Sequence, residues 1–221
     1  MGNELGRLHA SCGSIVMAHG DEKGLRLPPR LAPIQAVLVP IYRNDAERTA
    51  VMTQAHIIET ALKGFRVKVD DRPKFKPGYK YHEWEQAGVP LRIEIGPRDV
   101  AKGQSVLVRR DTGEKTSVAT PGITDTVDTM LGDVQQGLFD QAYAFRKEHT
   151  HLIDHFDEFR ERVEEGFLLA HWCGSPRCEA SVQEETRATI RCVPFDQVRE
   201  KDLCIHCGGN SEGRVLFARA Y

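Results

Sequence analysis

The sequence predicts an α/β protein: a domain with a mixed five-stranded sheet flanked by helices, followed by a small α+β domain organised around cysteines. Three observations carry this. Between Ala36 and Phe145, apolar runs of strand length alternate with stretches of helical spacing in the order β-α-β-α-β-β-β-α, which requires a layered α/β arrangement. Pro28, Pro29 and Pro33 break regular structure just before that series. After about Glu148 the texture changes, and five of the six cysteines follow.

Taken in order, Ser14–Ala18 reads as a buried strand and Leu25–Leu27 as a short extended piece, with the prolines making a linker. Ala36–Ile41 is an apolar strand. Asn44 with Glu47 three positions on forms a capping-box signal. The helix it opens carries Val51, Ala55, Ile58 and Leu62 on one face and closes at Gly64. Phe65–Val69 is the next strand, Lys80–Ala87 a short helix ended by Gly88, and Leu91, Ile93 and Ile95 alternate with Arg92 and Glu94 in a strand with one polar face. Ser105–Arg109 and Thr116–Ala119 flank Asp111-Thr-Gly113, a hairpin signal. Val127, Leu131, Val134, Leu138, Ala142 and Phe145 mark a long amphipathic helix. Beyond it, Asp154 caps a helix carrying Phe156, Phe159, Val163, Phe167 and Ala170. Irregular sequence with the cysteines follows, then a final strand over Arg214–Tyr221.

Net charge is −2 and mean hydropathy −0.42, and no apolar run approaches a membrane span. The opening residues 1–14 do not show the basic n-region and apolar stretch expected of a secretory signal. A cytoplasmic protein without membrane contact is expected. The overall charge supplies no global field for nucleic acid, yet Arg72–Arg98 holds six basic residues against three acids. That is a local basic stretch, or equally a solvated face.

Cys173-Gly-Ser-Pro-Arg-Cys178 and Cys204-Ile-His-Cys207 are two short pairs. Such pairs let four thiolates converge on one tetrahedral metal, and a segment with so small a core gains folding energy from the ion. The spacing implies structural Zn2+ rather than catalytic zinc, since four protein ligands leave no open position. Two disulfides are the alternative, disfavoured in a cytoplasmic chain. A mixed site using His171 or His206 is a further one, and Cys192 is expected to be a buried small residue.

Three stretches, Met17–Ile41, Val69–Asp99 and His171 to the terminal Phe-Ala-Arg-Ala-Tyr, resemble prolyl-tRNA synthetases of the archaeal or eukaryotic-like type with a C-terminal zinc domain. The resemblance implies three parts: 1–35, a remnant of a class II catalytic domain around its third motif plus linker; 36–147, an anticodon-binding domain; and 148–221, the zinc domain. It implies a proline-tRNA ligase parent that uses ATP and Mg2+, is a homodimer, and binds the anticodon stem-loop of tRNA(Pro). Glu85, Arg92 and Arg98 match positions that read the anticodon guanines in the family, and Tyr81 and Tyr79 are candidates to stack on the loop bases. An Arg fork suits guanine O6 and N7, and a carboxylate suits guanine N1–H and N2–H. From the residues alone, Glu85 and Arg92 read equally as a surface ion pair and the tyrosines as core. His19, Gly20 and Asp21 resemble a stretch beside the ATP and proline pockets, and Tyr221 the family's final tyrosine.

The resemblance also predicts what is missing. The first two class II motifs would lie upstream, and the third-motif Arg, expected in a stretch like TSWGVSTRLVGSIVM, falls on Ala10, with Arg7 too far away to replace it. Codons for Asn3–Gly13 read one nucleotide out of frame can spell TSWGVSTRLV, so the opening segment is expected to be an out-of-frame read of a longer synthetase. Without the catalytic parts, the chain is expected to be inactive alone and to bind tRNA weakly. The competing expectation is a free-standing RNA-binding or regulatory module derived from a synthetase.

Overall fold

Why the central strand is apolar on both faces is clear from its neighbours. The computed structural model describes residues 13–195 and 202–219, and they fall into two compact units divided between Phe139 and Asp140. In the first unit, α1 (13–19) leads into a small hairpin of β1 (Gly20–Asp21) and β2 (Gly24–Leu25). The main sheet then uses β3 (Ala36–Pro40), β4 (Val67–Val69), β5 (Leu91–Ile95), β6 (Gln104–Arg109) and β7 (Lys115–Ala119) in the order β4-β3-β5-β6-β7. The β3 pairings with β4 and β5 are parallel, while those of β5 with β6 and β6 with β7 are antiparallel. The sheet is therefore mixed.

Alternation along the strands builds two different faces. Ala36, Leu38, Leu91, Ile93, Ile95 and Leu107 pack against α2 (Asp45–Ala61) and α5 (Ile123–Glu148) through Val51, Ala55, Ile58, Ile123, Val127 and Leu131. On the other face, Val37, Val39 and Val89 meet Tyr81 and Trp84 of α3 (Pro77–Gln86). β3 is thus covered on both sides, which is why its sequence is continuously apolar. A short α4 (Pro97–Ala101) follows β5.

The second unit holds β8 (Thr150–Ile153), α6 (Phe156–Arg162), β9 (Phe167–Trp172), α7 (Pro176–Thr186), β10 (Ala188–Cys192) and β11 (Gly213–Arg219). Its sheet runs β10-β11-β9-β8, with β8 and β9 parallel and the other pairs antiparallel. Ile153, Phe159, Leu168, Ala170, Val182, Val215 and Phe217 form its core.

Four expectations are corrected. Residues 14–18 are helical and largely exposed rather than a buried strand; a short apolar run fits either state, and a helix satisfies its own backbone without a sheet neighbour. The helix expected to reach Ala170 stops at Arg162. Gly166 then takes φ +150, where an added Cβ would lie 2.4 Å from the His149 carbonyl oxygen, and Phe167–Trp172 is a strand. The cysteine segment is not irregular throughout, for it contains α7, opened by Pro176, and β10. Cys192 is exposed at the end of β10 instead of buried.

Candidate functional site

The second face of the first sheet carries its charged residues. β5 turns Leu91, Ile93 and Ile95 to the core, so Arg92 and Glu94 face the side of α3. The guanidinium of Arg92 donates from Nη1 to Glu85 Oε1 at 2.8 Å and from Nε to Glu94 Oε1 at 3.0 Å. It also lies over the Tyr81 ring, 4.0 Å from its centroid. The expected polar face of β5 is consequently sheltered: Arg92 is only 8% exposed. Burial, followed by the charge of Glu94, pushes the Tyr81 hydroxyl pKa up. Three of the five residues expected to contact RNA, Glu85, Arg92 and Tyr81, come together here. Arg98 is on α4, exposed, at the end of the same strand. Tyr79 is exposed and stacks on Phe75 instead of joining them.

A cavity of about 410 Å3 opens beside this group. Glu85, Arg92, Trp84, Val108, Lys115 and Arg110 are among its walls. Lys115 stands opposite Val108 on β7 and approaches Glu94 at 3.8 Å. Asp21 also borders the cavity, and Arg110 grips it with two bonds of 2.6 and 2.9 Å. Those bonds outweigh desolvation and hold the Asp21 carboxyl at about 2. His19 and Gly20 precede it, at the end of α1 and in β1, and burial followed by the charge of Arg26 lowers the His19 pKa. Tyr221, Arg7, Ala10 and the segment 3–12 lie outside the described residues.

α3 is anchored by a network that the sequence did not signal. Asp70, at the end of β4 and 2% exposed, accepts from Arg72 Nε and Nη2 and from Trp84 Nε1, each at 2.8 Å. Lys80, 3% exposed, donates to the Asp70 carbonyl at 2.8 Å. Arg72 also reaches Glu83 at 2.6 Å. Burial alone would push the Asp70 carboxyl up, but the hydrogen bonds from Arg72 and Trp84, with the charge of Lys80, hold it well below the usual range. Glu94 could have been found from its period-two spacing to Arg92; Asp70 and Arg110 have no such signal.

In the second unit, the four cysteines Cys173, Cys178, Cys204 and Cys207 bring their sulfurs within 4.8 Å of one another. Cys173 follows β9, Cys178 lies in the first turn of α7, and Cys204 and Cys207 sit in a tight turn closed by the Leu203–Asn210 bridge. The Cys173 and Cys207 sulfurs are 3.7 Å apart. Tetrahedral bonds of about 2.3 Å place ligand sulfurs about 3.8 Å apart, whereas a disulfide needs about 2.05 Å. All four are free thiols, and the cluster fits a tetrahedral thiolate-loving cation. The Gly209 N–H points to Cys207 Sγ at 3.4 Å, a donor that supports a thiolate. Neither histidine joins the cluster: His206 faces Glu185 at 3.2 Å, and His171 Nδ1 lies 2.9 Å from Ser211 Oγ.

Residues 156–221 match the family described as prolyl-tRNA synthetase, C-terminal, and residues 35–129 match the anticodon binding domain. The proline-tRNA ligase of Chloroflexus aggregans is 49% identical over 213 residues, 95% of this chain and 44% of that protein. That of Roseiflexus sp. RS-1 is 46% identical over the same span and shares. That of Porphyromonas gingivalis is 45% identical over 212 residues, covering 95% of this chain and 43% of its own length. The chain spans less than half the length of these relatives.

Proposed function

This chain belongs to the prolyl-tRNA synthetase family, matching its C-terminal portion, and from that premise we propose that it binds the anticodon stem-loop of tRNA(Pro) for ATP-dependent prolyl-tRNA formation by a longer enzyme. In this reading 36–147 is the anticodon-binding domain, 148–221 is a domain held by structural Zn2+ on Cys173, Cys178, Cys204 and Cys207, and 1–35 is the end of a catalytic domain with its linker. ATP, Mg2+ and dimerisation belong to the longer enzyme, and the 221-residue chain by itself does not charge tRNA.

The observation that carries the reading is the Arg92 cluster. Among the described residues, Arg92 Nη2 and Glu85 Oε2 take no hydrogen bond. The cluster therefore keeps one open donor on Arg92, whose guanidinium is fixed by Tyr81 and Glu94, and one open acceptor on the Glu85 carboxylate bonded to it. Guanine offers the complement of both: acceptors at O6 and N7, donors at N1 and N2. Because the fork is already held, little side-chain entropy is lost when a base arrives. Arg98 adds an exposed cation at the end of the strand, where a phosphate or the second guanine can be met.

Fluorescence anisotropy with a stem-loop RNA carrying two adjacent loop guanines tests the reading. Replacing either guanine by adenine should weaken binding about 5- to 150-fold, and Arg92→Ala should erase much of that difference. Equal affinity for both RNAs rejects guanine reading. ATP-dependent charging by the purified chain rejects its predicted inactivity.

A further inference from the structure

Ahead of Tyr81 in the chain, Phe75 before α3 and Tyr79 in its first turn display two aromatic rings to solvent. Phe75 is 37% exposed and Tyr79 53% exposed, and their rings stack at 4.6 Å between centroids with planes 13° apart. A near-parallel exposed pair leaves a flat π surface in water, where apolar area is unfavourable. The pair is not loosely held. The Arg72 guanidinium lies 4.9 Å from the Phe75 ring centroid, and that guanidinium is itself fixed by Asp70 and Glu83. Pro77 at the first position of α3 sets the backbone between the two rings. Lys74 and Lys76, both exposed, flank Phe75.

We propose that Phe75 and Tyr79 form a preformed shelf on which one unpaired RNA base stacks, with Lys74 and Lys76 meeting the adjacent phosphates. The base is a loop nucleotide other than the two guanines, and its identity is not read. Every nucleobase has a π face, so stacking tolerates any sequence, and cations beside the rings select a polyanion over an apolar peptide. The inference rests on the RNA-binding reading above but on different residues. The shelf adds affinity; the Arg92 cluster discriminates.

The 221-residue chain can be tested with stem-loops in which 2-aminopurine replaces each unpaired loop nucleotide outside the guanines in turn. One position should be quenched on binding wild type and Tyr79→Phe, which keeps the ring, but not on binding Tyr79→Leu. Tyr79→Leu should also lose about 5- to 150-fold in affinity while its preference for guanine over adenine at the read positions is unchanged. Both rings are on the surface, so the variants should fold, which circular dichroism checks. Wild-type affinity and quenching in the Phe75→Leu, Tyr79→Leu double variant overturns the shelf and leaves the pair as a protein-docking patch. Loss of the guanine preference in wild type defeats the guanine reading instead, and the 2-aminopurine signal tells the two failures apart.

Discussion

Asp70 shows how one buried carboxylate can decide the position of a whole helix. It is almost completely buried, lies among Arg72, Lys80 and Trp84, and joins the end of β4 to α3. Removing one partner from such a group leaves buried charge without compensation, at about 3–5 kcal/mol. Asp70→Asn should destabilise the first unit by that amount in urea unfolding followed through Trp84, and Lys80→Met added to it should recover part. The pH dependence has a definite sign. The carboxyl titrates lower folded than its ordinary value of 3.8, so its contribution is complete above about pH 4 and is lost as the solution is acidified further. Wild type should lose this increment progressively as the pH falls below about 4, with the loss still incomplete at about pH 3 because the folded carboxyl holds its charge further into acid, and the Asn variant should not. The same residues show why the basic stretch was only partly legible. Of the six cations between Arg72 and Arg98, Arg72, Lys80 and Arg92 are paired inside the fold, leaving Lys74, Lys76 and Arg98 exposed. Counting charge along a sequence does not reveal which charges are already neutralised.

Among the elements, α2 was the most legible because its start is written in local chemistry. Asn44 Oδ1 accepts from the Glu47 N–H at 2.9 Å, as the spacing predicts, although the Glu47 carboxylate turns back to the Arg43 N–H at 2.8 Å rather than to that of Asn44. Asn44→Ala should lower the stability of the first unit by about 0.5–2 kcal/mol, measured by chemical denaturation. Glu47→Gln, which keeps an acceptor oxygen, should lose less; an unchanged midpoint in Asn44→Ala would mean that the cap adds nothing. The second unit was harder. Phe156, Phe159 and Val163 do share a helical stripe or its cap, but Phe167 and Ala170 continue that spacing by coincidence and belong to β9. What separates them is Gly166 in a conformation closed to other residues, packed on His149. A lone glycine gives no hint of that distant contact. The strand β8 was missed for a related reason: Thr150–Ile153 is only four residues long and becomes a strand through its parallel pairing with β9.

At the scale of the molecule, the two units depend on different sources of stability. The first has apolar cores on both faces of its sheet. The second has, among the described residues, one smaller core around Phe159 and Phe217, and a turn carrying Cys204 and Cys207 whose backbone closes on itself through the Cys204 N–H to Gly209 carbonyl bond of 2.7 Å. A bound tetrahedral metal can supply about 10–16 kcal/mol of apparent folding free energy, more than so small a core can replace. Metal removal should therefore unfold the second unit and spare the first. The chain contains two tryptophans, and they divide between the units: Trp84 donates to Asp70 in the first, and Trp172 precedes Cys173 in the second and donates to the Ser175 carbonyl. With Trp84→Phe reporting only the second unit and Trp172→Phe only the first, a strong chelator should red-shift the Trp172 emission and leave that of Trp84 in place. Zinc added back should reverse the shift. Cys178→Ser should reproduce the chelated state without any chelator, because a neutral hydroxyl is a poor ligand where a thiolate is needed. Unchanged Trp172 emission in protein assayed as metal-free would show that the four thiols hold the turn without an ion. Joint loss of both signals would show instead that the units unfold as one.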